Sequence, residues 1–168
     1  MTDSILDLPY VLSTRRNHAL EHATLHMLER KHPKQPMGGH SNPTGFLIFG
    51  DFSLEEIQAA ADEALARLRA GERELAIHAG CGTNLATTAL FSWSFAWAAF
   101  RGARSTFARV MRLPLAAALA LTGFALSQPL GPVLQKRITT EANPGPLQIA
   151  AITVLAQGRL KTHRVITR

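Results

Sequence analysis

The chain has 168 residues, enough for one domain with a buried core. Hydrophobic residues make up 46% and charged residues only 18%, below the usual quarter, and a lone Cys81 excludes an internal disulfide. The formal charge of +6 raises nucleic acid as a partner, but there is one Tyr and the arginines flank apolar segments instead of lining one face. Nucleic acid is therefore set aside in favour of a lipid bilayer.

Residues 1–12 read as a short lead in which Ile5, Leu6 and Leu8 can pack or touch a membrane surface. Asp3 and Asp7 stand where a secretory signal would carry basic residues, so no export signal is expected. Ser13 is the expected N-cap of a helix running to about Lys31, and His32-Pro33 ends it, because a residue before proline avoids the helical region. Leu20, Ala23, Met27 and Leu28 form its apolar side.

An adjacent face of that helix carries His18, His22 and His26. Residues four apart stand one above the other, so His18 and His22 can turn ring nitrogens to one ion. His18-x-x-Glu21-His22 has the H-x-x-E-H pattern, with Glu21 placed to accept a proton from a water that zinc makes acidic. His26 extends the stripe but lies about 12 Å along the axis from His18, too far for both to bind one ion easily. Either a third ligand comes from elsewhere in the chain, or His26 pairs with His22 instead.

Lys34 to Pro43 reads as a turn-rich loop with Gly38, Gly39 and an exposed His40, the last also weighed as a third ligand on residue type alone. Residues 44–49 read as a strand. Ser53-Leu54-Glu55-Glu56 is a capping box that opens a helix over about 54–70. Leu75-Ala76-Ile77 reads as a second strand, and strand, helix and strand in this order predict a parallel pair with a right-handed crossover. The loop His78-Ala79-Gly80-Cys81-Gly82-Thr83-Asn84 follows. It offers His78 and Cys81, three apart, as further metal ligands beside His18 and His22, or is simply a strand-to-helix turn.

Gly82 to Phe100 carries no charge and includes Trp93 and Trp97; Arg101, Arg104, Arg109 and Arg112 follow, and Leu113 to Gln135 is again uncharged. Two such stretches predict a transmembrane helical hairpin, although Pro114, Pro129 and Pro132 interrupt the second. After a turn at Asn143-Pro144-Gly145-Pro146, residues 147–155 and 163–167 read as strands joined by a turn at Gln157-Gly158-Arg159. They would extend the sheet, with His163 an exposed strand residue or brought by the sheet towards the site. The expected fold is α+β: a small mixed α/β domain carrying a helical metal motif, interrupted by the hairpin. Its parts are residues 1–81, 82–135 and 136–168.

The stretches His18–His26, Gly45–Asp51, His78–Asn84 and His163–Thr167 together resemble a family of small, uncharacterised bacterial membrane proteins classed only as a domain of unknown function. The resemblance implies one coherent unit with membrane segments and brings no activity. With the hairpin and no export signal, it places the protein in the bacterial inner membrane with its soluble part in the cytoplasm. His18, Glu21 and His22 separately resemble the inverted-zincin peptidases. Those enzymes take a further glutamate ligand from a distant helix, for which Glu55, Glu56 and Glu63 are available without one standing out.

Function then divides into three readings. The first is a membrane-anchored zinc hydrolase, with His18 and His22 as ligands, His78 or Cys81 completing the shell and Glu21 as general base. The second is a non-enzymatic membrane subunit or scaffold with a structural metal, whose hairpin packs on a partner protein or a second copy. The third, weaker, is a haem or metal sensor using His pairs.

Overall fold

The computed structural model describes residues 4–156 and 161–168. They divide into two units, one running to His78 and resuming at Gln135–Arg168, the other Ala79–Leu134.

The first unit is built around helix α1, Pro9–Lys31. It starts a turn earlier than Ser13 because Pro9 occupies its first position, where a fixed φ suits the helix and the missing N–H costs nothing. Strands β1 (Gly38–Asn42) and β2 (Gly45–Phe49) follow, then helix α2 (Leu54–Arg69) and a 3-10 turn, Arg73–Ala76. The chain returns to this unit through a π-helical turn, Gln135–Thr139, and ends in β3 (Ile149–Ala156) and β4 (Thr162–Thr167). The turn expected at residues 157–159 lies outside the described residues.

The sheet order is β1-β2-β4-β3, and every neighbouring pair is antiparallel. Two expectations are corrected here. Residues 38–42 are an edge strand and not loop, paired through His40 opposite Leu47. Its Gly-Gly-His-Ser-Asn sequence has little strand propensity, so pairing with β2 and packing on α1 decide its conformation. A two-residue turn joins the pair. Asn42 Oδ1 accepts from the Thr44 N–H and hydroxyl, and Gly45 supplies a φ of 134°.

The second correction concerns Leu75-Ala76-Ile77, which is no strand, and no parallel pair exists among the described residues. The carbonyls of Ala76 and Ile77 are taken by imidazoles of α1 instead of a strand partner.

The core lies between one sheet face and the two helices. Leu20, Met27 and Leu28 of α1 pack with Ile57, Ala64 and Leu68 of α2 over Phe46, Ile48 and Val165. Burial of each large side chain contributes roughly 1.5–3 kcal/mol. The expected capping box is present on α2: Glu56 N–H donates to Ser53 Oγ, and Ser53 N–H to Glu56 Oε2. His163 faces this core and is 1% exposed, not solvated as its polarity suggested, because it alternates with Val165 and Thr167 on the inner face of β4.

The second unit contains α3 (Gly82–Ala99), α4 (Thr106–Met111), α5 (Leu113–Ser127) and α6 (Leu130–Leu134). The main packing is α3 against α5, where Gly123 lies so close to the Phe91 backbone that a Cβ would collide with it. Among the described residues no single helix is long and apolar enough to cross a membrane. The expected pair of uninterrupted spans is corrected accordingly. Asn84, Thr87, Thr88, Ser92 and Ser94 dilute α3, and the second stretch breaks after Ser127, ahead of Pro129. α5 with the helical stretch Leu130–Thr139 forms a bent pair that meets the length and composition of a span together.

Candidate metal centre

α1 is pinned on its sheet side before its functional face can be considered. Asn17, fully buried, donates from Nδ2 to the Asn42 carbonyl at 2.9 Å and accepts from the Thr167 hydroxyl at 2.7 Å. Glu21 follows one turn later on the same side. The residue is 4% exposed, and its Oε2 accepts from the Ser41 hydroxyl of β1. Gly39 passes so close that a Cβ there would run into the Glu21 carboxylate. On a helix Glu21 stands about 60° round the axis from His18 and about 100° from His22. It is therefore a neighbour of the histidine face, held by β1.

The opposite flank of α1 meets the 3-10 turn and the returning chain at Gln135–Thr140. Arg15 fixes that return, donating from Nε to Ile138 O at 2.8 Å and from Nη2 to Thr140 O at 3.0 Å. Thr139 thereby offers its carbonyl to His18, whose Nδ1 lies 2.9 Å away. His22 Nδ1 lies 2.7 Å from the Ala76 carbonyl oxygen. A carbonyl only accepts, so both imidazoles carry their proton on Nδ1 and keep the lone pair on Nε2. This is the arrangement that metal-ligating histidines use, with one nitrogen anchored to a carbonyl and the other turned to the ion.

Their ring centroids are 4.3 Å apart and a ring nitrogen of each lies within 4.8 Å of the other. His22 is 1% exposed, and its Nε2 is buried with no hydrogen-bond partner. Such an orphaned nitrogen costs about 1–3 kcal/mol unless something else uses its lone pair. A divalent ion suits that need, so the donor chemistry fits a metal.

His26 and His78 belong to a neighbouring group. His26 Nε2 donates to Ile77 O at 2.8 Å. His78 Nε2 is 2.9 Å from Glu29 Oε1, and the His26 and His78 rings are 4.9 Å apart. The His78 ring also lies 5.7 Å from that of His22, so four imidazoles form one continuous line. Burial pushes the His78 pKa below the ordinary histidine value, against an upward pull from Glu29. The sequence reading missed Glu29; its place three residues after His26 was the available signal.

Cys81 heads the second unit as the buried N-cap of α3, its Sγ accepting from Thr83 N–H. His40 is exposed on β1. Glu55, Glu56 and Glu63 lie on α2, where Glu56 serves the capping box and contacts His32 at 2.8 Å.

A family model described as "Domain of unknown function (DUF6391)" matches residues 13–152. An uncharacterised protein of Picosynechococcus sp. (strain ATCC 27264 / PCC 7002 / PR-6) is 34% identical over 158 residues, covering 88% of this chain and 74% of that one. No solved structure matches the chain.

Proposed function

We propose, from the premise that the chain belongs to the DUF6391 family, that it is a membrane-associated, zinc-dependent hydrolase of amide or related bonds. His18 and His22 are its ligands on α1. The observation that carries this reading is the buried His22 Nε2 with no hydrogen-bond partner, behind an Nδ1 tied to Ala76.

Zinc bound at the pair would supply a Lewis acid and bring the pKa of a water towards neutrality. Thr139 and Ala76 orient the two imidazoles through their carbonyls. The Glu21 carboxylate, one residue before His22, accepts from the Ser41 hydroxyl and packs against Gly39 of β1. Glu21 is the residue for proton transfer: it takes a proton at a carboxylate oxygen and returns it to the leaving nitrogen or oxygen.

Membrane association is supported by the second unit, where Trp93, Trp97, Leu121 and Phe124 are exposed on segments without charge. The same surface favours a second reading, a membrane-bound subunit whose metal only holds the fold.

The Glu21→Gln variant separates the two. Zinc content and hydrolysis of a mixed fluorogenic peptide pool are measured on the wild-type chain and the variant. Retained zinc with lost hydrolysis supports the enzyme. Hydrolysis unchanged in the variant, or absent from a zinc-loaded wild type, overturns it in favour of the structural role.

A further inference from the structure

We infer that His26, Glu29 and His78 form a second divalent-metal site, separate from the His18–His22 pair. The inference stands on its own geometry and goes beyond the hydrolase reading.

Two of the three residues come from one helix face, three apart on α1, where side chains are neighbours. The third is set by the backbone. His78 N–H donates to Gln135 Oε1 at 2.9 Å, and Gln135 Nε2 donates to the His78 carbonyl at 3.1 Å. Gln135 is fully buried, so this two-way clamp fixes where the His78 ring emerges. His26 is held in the same manner as the first pair. Its Nε2–H is spent on Ile77 O, which leaves the lone pair on Nδ1.

Glu29 lies between the two rings and presents a different oxygen to each. Oε1 is 2.9 Å from His78 Nε2, and Oε2 is 3.8 Å from His26 Nδ1. One ligand atom from each residue falls within 4.8 Å of the other two. An ion placed among them replaces the shared proton between His78 and Glu29 and draws the three donors together by small rotamer changes. The site is reachable, since the Glu29 side chain is 44% exposed and that of His26 29%.

Two imidazoles and one carboxylate suit zinc, iron(II) or manganese(II), with coordination positions left for water or a ligand.

The test uses the full chain, stripped with chelator and equilibrated with zinc chloride, with bound zinc per chain measured by elemental analysis. Far-UV circular dichroism confirms folding. Glu29→Gln keeps the side-chain shape, and Glu29→Ala is a second variant at this partly exposed position. The expected result is one fewer zinc per chain in both Glu29 variants and in His26→Gln, while His22→Ala loses a different zinc and keeps this one. Unchanged zinc in the Glu29 and His26 variants overturns the second site and leaves the first standing. Zinc lost only in those variants, and not in His22→Ala, supports the second site and removes the first. Loss of all zinc in either class of variant shows one shared centre and overturns separateness, and a wild type that takes up no zinc overturns both sites.

Discussion

His22 donates its Nδ1 proton to the carbonyl oxygen of Ala76 across 2.7 Å, and this bond decides which nitrogen of the ring can bind anything else. In metal-free protein the tautomer should therefore be Nδ1–H. Long-range nitrogen–proton correlation of the histidine rings reads this directly. Zinc should move the Nε2 resonance of His22 and leave Nδ1 protonated. An Nε2–H tautomer would contradict the assignment.

Gly39 and Glu21 share one space, because a Cβ on the glycine meets the carboxylate. Gly39→Ala should cost about 1–3 kcal/mol, as overpacking usually does. In a Glu21→Ala background it should cost less, with a coupling on the order of 1 kcal/mol. Urea unfolding of the four proteins measures it. Equal costs in the two backgrounds would mean that Glu21 is not held by this contact.

The capping box of α2 gives a prediction independent of any metal. Ser53→Ala removes the acceptor for Glu56 N–H and should destabilise the chain by about 1 kcal/mol, seen as a lower urea midpoint at unchanged slope. An unchanged midpoint would show that solvent caps the helix as well as Ser53 does.

His163 supplies the pH dependence. Its burial, with a smaller push from Lys161, holds its pKa below the ordinary histidine value of about 6.5. The folded chain therefore prefers the neutral ring. Above that ordinary value both states are neutral and the residue contributes no pH dependence. As pH falls below it, the unfolded chain takes up the proton first, and stability is lost until the folded-state pKa is passed. His163→Leu should flatten this part of the stability–pH curve measured by urea unfolding, and an identical slope would contradict the assignment.

Much of the fold was legible where period and caps agree. The Ser53–Glu56 box and the apolar spacing from Ile57 to Leu68 marked α2, and the β-branched run at 147–155 marked β3, which spans Ile149–Ala156. Strand β1 was not legible, because its conformation comes from partners 3–11 residues away and not from its own residue types. Leu75-Ala76-Ile77 looked like a strand for the converse reason: it is a short apolar run after a glycine turn, yet His22 and His26 claim the carbonyls of Ala76 and Ile77. The spacing of His18 and His22 marked the candidate metal pair. The carbonyls of Ala76, Ile77 and Thr139 that set the ring tautomers are backbone atoms, and a sequence does not mark backbone acceptors. Glu29 was overlooked because its partner His78 lies 49 residues away.

The central claim is that α1 presents His18 and His22 to one divalent ion. It is tested most directly by the zinc content of purified full-length protein beside His18→Ala and His22→Ala variants shown to be folded by circular dichroism. The account predicts zinc bound to the wild type and the same zinc missing from each variant. Wild type and variants holding equal zinc, or a wild type holding none after reconstitution, would contradict it.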